Sequence, residues 1–72
     1  MYVLYTETRG GWVDRIKYRS LALAVGRLAV EVGRPYHRRA KWAFIILPSG
    51  TYVNLAEARE ILAWELEPHA PV

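Results

Sequence analysis

Residues 2–8 are rich in β-branched and aromatic residues, and the side chains of residues 12–19 alternate between a basic face and a mainly apolar face. Both patterns are typical of β-strands. Gly10 and Gly11 stand between the two stretches, and because both tolerate a positive φ they predict a two-residue hairpin turn. This register predicts a core-facing side made of Val3, Tyr5, Ile16 and Tyr18, and an outer side made of Tyr2, Leu4, Thr6, Arg15, Lys17 and Arg19.

Residues 21–32 are apolar on nearly every side, which predicts a helix that is buried on more than one face. Ser20 precedes them as a helix N-cap, and Gly33 suits a left-handed position at the C-terminal end. Gly26 lies four residues after Ala22, so a second helix or a second subunit could approach closely at this stripe. The alternative is that Gly26 is a merely tolerated helix glycine.

The second half of the chain follows the same order of elements. Residues 41–47 predict a strand that is apolar on both faces, a pattern typical of a central strand. A turn at residues 48–50 leads to a short strand at residues 51–53 and then to a helix that Asn54 caps. The predicted open face of the sheet carries Trp42, Phe44, Ile46 and Val53 beside Tyr2 and Leu4, while Tyr52 shares the core face with Ile45 and Leu47. An apolar patch of this kind on a small protein predicts a partner.

The two halves also resemble one another residue by residue. Residues 20–32 align without a gap with residues 54–66, and Leu, Ala, Ala, Leu, Ala and Glu are identical in register. The chain is therefore predicted to contain two tandem ββα units, at residues 1–33 and 41–67, with a loose tail at residues 68–72. Chance similarity is the alternative, because Ala and Leu are common helix formers. The predicted fold is one α+β domain in which a four-stranded antiparallel sheet carries two helices on one face.

Composition narrows the possible classes of protein. The chain has 72 residues, no cysteine and two histidines, so we expect no disulfide, no metal site and no cofactor. No basic segment followed by an apolar run opens the chain, and its longest apolar stretch is short for a membrane span. A soluble, cytoplasmic protein without a membrane partner is expected. The absence of Gln and the excess of Arg over Lys fit a thermophilic source or a GC-rich genome.

Charge is distributed unevenly along the chain. Residues 1–50 contain nine basic and three acidic side chains, whereas residues 51–72 contain one basic and four acidic side chains. A basic body with an acidic C-terminal helix predicts a face that attracts an anionic partner.

The densest local signal lies in residues 34–42, where five of nine residues are basic if His37 is counted. Tyr36 and Trp42 flank these cations, and nucleic-acid sites need cations for phosphate and flat rings for bases. The second signal is the stripe of Arg15, Lys17 and Arg19 on one face of the hairpin. Both signals can also be explained without a ligand. Basic loops are often simply exposed to solvent, and basic side chains on an edge strand prevent aggregation.

Catalytic patterns are sparse. Ser20 and Ser49 are expected to serve as a helix cap and a turn residue, and His37 has no carboxylate near it in sequence. Glu7 and Asp14 could face each other across the hairpin, but a solvated rim explains them as well. We therefore expect no catalytic residue and no enzymatic activity.

The sequence predicts a small nucleic-acid-binding protein with an accessory or regulatory role. The residues predicted to contact DNA or RNA are Arg15, Lys17, Arg19, Arg34, Tyr36, His37, Arg38, Arg39, Lys41 and Trp42. The alternative is a homodimeric protein-interaction module, such as an inhibitor or an assembly subunit. Its predicted interface consists of Trp42, Phe44, Ile46, Val53 and Gly26. A homodimer is expected because the apolar surface exceeds what one small core can cover.

Overall fold

A computed structural model describes residues 1–66 of the chain. The strands are β1 (Tyr2–Glu7), β2 (Val13–Tyr18), β3 (Trp42–Ile46) and β4 (Tyr52–Val53), and the α-helices are α1 (Leu21–Val32) and α2 (Leu55–Leu66). A short 3-10 helix, Tyr36–Arg38, interrupts the loop before β3. The predicted helix stop at Pro68 and the predicted tail lie outside the described residues.

The strands form one antiparallel sheet in the order β2-β1-β3-β4, so β1 and β3 are central. Leu4, Ile45 and Val53 lie on the face that carries the core, and they pack with buried side chains from both helices. These contributions come from Leu21, Ala24, Val25 and Leu28 of α1 and from Ala58 of α2. The α+β class, the four-stranded antiparallel sheet and the two helices are confirmed, while the tandem-repeat interpretation stays a prediction.

The first hairpin corrects the predicted register. The Thr8 N–H donates to the Trp12 carbonyl oxygen at 2.8 Å, and the Gly11 N–H donates to the Thr8 carbonyl oxygen at 3.0 Å. The loop therefore contains three residues, Arg9, Gly10 and Gly11, and Gly11 adopts a φ of 88° that suits glycine. The predicted two-residue turn is wrong by one residue.

Because the loop has one residue more than predicted, the side chains of β1 lie on the faces opposite to those predicted. Leu4 now pairs with Ile16 and Ile45, and Tyr5 pairs with Arg15 and Phe44. A shift of one position moves every side chain of a strand to the opposite face. The predicted core positions of Val3 and Tyr5 are wrong, and so are the outward positions of Tyr2, Leu4 and Thr6.

The last strand also has its faces exchanged. Val53 is 5% exposed and belongs to the core, whereas Tyr52 is 64% exposed on the open face. The register explains both positions, because Ile45 pairs with Val53 and Ile46 pairs with Tyr52. The predictions that Val53 forms part of an interface and that Tyr52 faces the core are therefore wrong.

The helix ends follow their capping residues. Ser20 accepts a hydrogen bond from the Leu23 N–H at 3.4 Å, and Asn54 and Glu57 bond reciprocally at 2.8 and 3.0 Å as a capping box. Gly33 ends α1 with a φ of −85°, so the predicted left-handed conformation is wrong.

Helix α1 buries one side against the sheet and exposes the other. Leu23, Gly26 and Val30 are exposed, so the expected burial on more than one face is not found within residues 1–66. A Cβ built on Gly26 meets no atom within 4 Å. No close approach at this glycine occurs within the described part of the chain.

Candidate functional site

A cleft of about 530 Å³ opens on the helix-bearing side of the sheet. Three segments line it: the end of β1 with the hairpin loop, the second half of α1, and the loop that contains the 3-10 helix. Its basic residues are Arg9, Arg27, Arg34, His37, Arg38 and Arg39, and its acidic residues are Asp14 and Glu31. Five arginines against two carboxylates give the lining a net charge of +3 when His37 is neutral.

Glu31 fixes two of these arginines. One carboxylate oxygen, Oε1, lies 3.3 Å from Nη2 of Arg27 and accepts a hydrogen bond from Nη2 of Arg34 at 3.3 Å. The other oxygen, Oε2, lies 3.2 Å from Nε of Arg34. The Glu31 side chain is 15% exposed, so this arginine–glutamate–arginine triad is partly shielded from water. The triad keeps a positive charge and holds both guanidinium groups at the wall of the cleft.

The loop after α1 is ordered by its own hydrogen bonds. Arg39 donates from Nε and Nη2 to the carbonyl oxygen of Arg34, at 3.2 and 3.1 Å. The Arg38 N–H donates to the Pro35 carbonyl oxygen at 2.8 Å, which starts the 3-10 helix. The backbone carbonyl orients the Arg39 guanidinium without neutralising its charge, so its remaining N–H groups stay available to an anion.

Two basic side chains of the cleft, those of His37 and Arg38, are not held by hydrogen bonds or ion pairs within residues 1–66. They are exposed on the rim of the cleft. An incoming anion would meet these groups without first displacing a protein partner.

Arg9 joins the hairpin loop to the 3-10 helix. Its guanidinium carbon lies 3.9 Å from the ring centroid of Tyr36, a cation–π contact, and Arg9 also lines the cleft. Sequence reasoning did not select Arg9 or Arg27. Glu31 lies four residues after Arg27 and three before Arg34, and this spacing could have identified the triad on a helix.

The structure separates the predicted nucleic-acid residues into two groups. Arg34, His37, Arg38 and Arg39 meet at the cleft, with Tyr36 beside them. Arg15 and Lys17 pair with Tyr5 and Val3 on the open face, and Arg19 is exposed just after β2. Because alternate residues of a strand face opposite ways, the cleft-lining Thr6 and Asp14 point away from the open face. The two basic clusters thus lie on opposite faces of the sheet.

Lys41 and Trp42 lie at the sheet end nearest the cleft. The Lys41 N–H donates to the Glu7 carbonyl oxygen at 2.7 Å, and Trp42 pairs with Glu7 in the sheet. Both side chains are exposed, but neither lines the cleft.

A row of stacked rings crosses the open face. Phe44 lies between Tyr5 and Tyr52, with centroid separations of 4.7 and 5.0 Å and interplanar angles of 15° and 21°. The Arg15 guanidinium carbon lies 5.4 Å from the Tyr5 centroid, so the row includes one side chain from every strand. We call Arg15, Tyr5, Phe44 and Tyr52 the aromatic row.

Glu7 raises the pKa of Tyr5, one of the two tyrosines of the aromatic row. Tyr5 donates a hydrogen bond from its hydroxyl to Oε1 of Glu7 at 2.9 Å. This bond, partial burial and the negative charge of Glu7 raise the pKa of Tyr5 above its ordinary value, and the Arg15 cation opposes the shift.

The open face carries three of the predicted interface residues. Trp42, Phe44 and Ile46 lie there as expected, and Trp42 is strongly exposed. Because the rings of the aromatic row stack on one another, they offer mainly their edges to an external ligand. Such a surface suits apolar contact with another protein better than intercalation of bases.

The one candidate catalytic pair, Glu7 and Asp14, does not form. Glu7 pairs with Val13 and Asp14 with Thr6, so the two carboxylates lie on opposite faces of the hairpin and do not face each other. The hydroxyl of Ser49 donates to the Thr51 hydroxyl at 3.0 Å, as in a turn. No group of three His, Cys, Asp or Glu side chains within residues 1–66 is arranged to hold a metal ion. None of the described helices is both long enough and apolar enough to cross a membrane.

Comparison of the chain with protein-family models, curated proteins and solved structures found no match. Function must therefore be argued from the chemistry of the site.

Proposed function

We propose that this protein is a small non-enzymatic nucleic-acid-binding protein, with an accessory or regulatory role, that holds phosphate groups in the cationic cleft. The observation that carries the proposal is the convergence of five arginines from three separate segments on one concave surface. Clustered arginines on a concave wall raise the local concentration of anions and speed their association.

The chemistry of the lining suits phosphate groups. Arginine presents a planar fork of N–H donors that bonds two phosphate oxygens at once. Glu31 orients Arg27 and Arg34, while Arg38 stays unpaired within the described residues. Phosphate contacts position a nucleic acid without reading its bases, so we propose weak sequence preference.

The basic residues of the first hairpin are proposed to contribute less to binding than those of the cleft. Arg15, Lys17 and Arg19 lie away from the cleft, and Arg15 is engaged with Tyr5. These cations, together with Lys41 and Trp42, would extend binding only to a ligand that wraps around the sheet. We also retain the proposal that the two ββα units are repeats, supported by the order of elements.

The test is the salt dependence of oligonucleotide binding, measured by fluorescence anisotropy. Arg38→Ala removes one unpaired cation of the cleft, and Arg59→Ala removes one exposed cation from α2 as the matched control. We expect the slope of log affinity against log salt to fall by about 0.7 for a single strand or about 0.9 for a duplex in Arg38→Ala. The control should retain the parent slope.

Two results would reject the proposal. One is absence of binding at low salt. The other is an equal effect of both substitutions, which would indicate attraction by net charge rather than binding in the cleft.

A second candidate function rests on the open face. The aromatic row, with Trp42 and Ile46 beside it, forms an apolar surface that the described residues leave uncovered. We propose as the alternative a homodimeric protein-interaction module, an inhibitor or assembly subunit, that works through this face.

A further inference from the structure

We infer that the nucleic acid bound by the cleft is single-stranded, with a phosphate among the arginines and a neighbouring base on the free face of Tyr36. This inference rests on the proposed function, since it specifies the ligand of the same cleft. It depends on three features: the shape of the cleft, the exposure of Tyr36 and the position of Arg9.

The cleft is concave and of nucleotide size. Its volume of about 530 Å³ falls within the roughly 300–1,000 Å³ typical of small-ligand pockets. A duplex is stiff over about 150 base pairs, so it bends little to follow a small concave surface. A single strand rotates freely about its backbone and can place one phosphate in the cleft.

Tyr36 provides a ring beside these cations. The residue is 71% exposed and stands in the 3-10 helix that carries His37 and Arg38. Arg9 covers one face of its ring at 3.9 Å and fixes the orientation of the ring relative to the cleft. No other ring or cation among the described residues stacks on Tyr36, so its second face is open to a base.

The open face of the sheet is less suited to stacking a base. There, each ring of the aromatic row already stacks on a neighbour, and Phe44 has both faces occupied. Arg15 and Lys17 are the basic side chains of β2 on that face, whereas five arginines surround the cleft beside Tyr36. Bases stack on exposed ring faces near cations, and Tyr36 combines both.

The experiment compares three labelled probes of equal length by fluorescence anisotropy: a single strand, a duplex, and an abasic strand that retains only sugar and phosphate. The variants are Tyr36→Ala, Tyr36→Phe and, as a matched control, Tyr52→Ala, which removes a tyrosine of similar exposure from the open face. Circular dichroism and light scattering establish that each variant is folded and has the parent mass.

We expect the parent protein to bind the single strand more tightly than the duplex or the abasic strand. Tyr36→Ala should weaken single-strand binding at least about fivefold, the lower end of the effect of one base stack, and should leave abasic-strand binding unchanged. Tyr36→Phe should retain binding because its ring is intact. Tyr52→Ala should bind like the parent.

Equal affinity for single strand and duplex would overturn the inference, as would a Tyr36→Ala variant that binds the single strand normally. A loss seen with Tyr52→Ala and not with Tyr36→Ala would place the base on the open face and would also overturn it. In each case the salt slope of Arg38→Ala shows separately whether phosphate binding in the cleft survives. Failure of all three probes to bind would reject both proposals.

Discussion

Gly26→Ala tests whether the exposed side of α1 is free in solution. Gly26 lies in the interior of a 12-residue helix, where glycine costs about 1 kcal/mol relative to alanine. The sequence suggested that this glycine allows a second helix or subunit to approach. In the structure, an added Cβ would meet no atom within 4 Å.

Since the methyl group neither clashes nor packs, the propensity difference alone should appear, and the free energy of unfolding should rise by about 1 kcal/mol. For a chain of 72 residues this corresponds to an increase in Tm of about 4–8 °C.

The assay is thermal and urea denaturation at two protein concentrations, with the mass measured by light scattering. Gly11→Ala serves as the opposite control, because Gly11 has a φ of 88°. A side chain in that conformation costs about 1–2 kcal/mol, so this variant should be destabilised. The pair separates a general effect of alanine from the effect of local backbone geometry.

A Gly26→Ala variant that is less stable than the parent would refute the reasoning. So would a variant whose stability depends on concentration more weakly than that of the parent. Either result would mean that another molecule covers α1 in solution, and that the methyl group disrupts this contact.

Two predictions concern the open face. Glu7→Gln should lower the pKa of Tyr5 toward its ordinary value, since the carboxylate is the main cause of the raised value. Phenolate absorbance during a pH titration measures this, Tyr5→Phe identifies the signal, and an unchanged titration would contradict the hydrogen-bonded pair. Because the pKa is raised in the folded state, the stabilisation that it represents should be lost as the pH rises through the folded value. Phe44→Lys should convert a dimer into a folded monomer by light scattering if the open face is a homodimer interface, whereas a monomeric parent protein would exclude that dimer.

The faces of the sheet show what a pattern of alternation can and cannot establish. The β-branched and aromatic residues of 2–8 and the alternation in residues 12–19 correctly predicted two strands and a hairpin, because both signals are local properties of a strand. These patterns do not show how many residues the loop contains, and Gly10 and Gly11 favour a two-residue turn. The third loop residue, Arg9, shifted the register and moved Leu4 into the core and Tyr5 out of it.

The site shows a related limit. The loop at residues 34–42 was identifiable because its cations are adjacent in sequence, and four of its residues do line the cleft as basic groups. Arg9 and Arg27 come from a hairpin and a helix, and they join the cleft only through the tertiary fold. The contact of Arg34 with Glu31 is local by contrast, because the two residues are three positions apart in the chain.

Strand β1 is the element that separates the two proposed surfaces. Its successive residues Tyr5 and Thr6 point in opposite directions, so Tyr5 enters the aromatic row while Thr6 lines the cleft. A nucleic acid in the cleft and a second copy on the open face would therefore not compete for the same side chains. Sites without shared partners give nearly additive effects. Accordingly, Phe44→Lys should leave the salt slope of binding unchanged, and Arg38→Ala should leave the mass unchanged. A substitution that altered both properties would show that binding and assembly are coupled through the sheet.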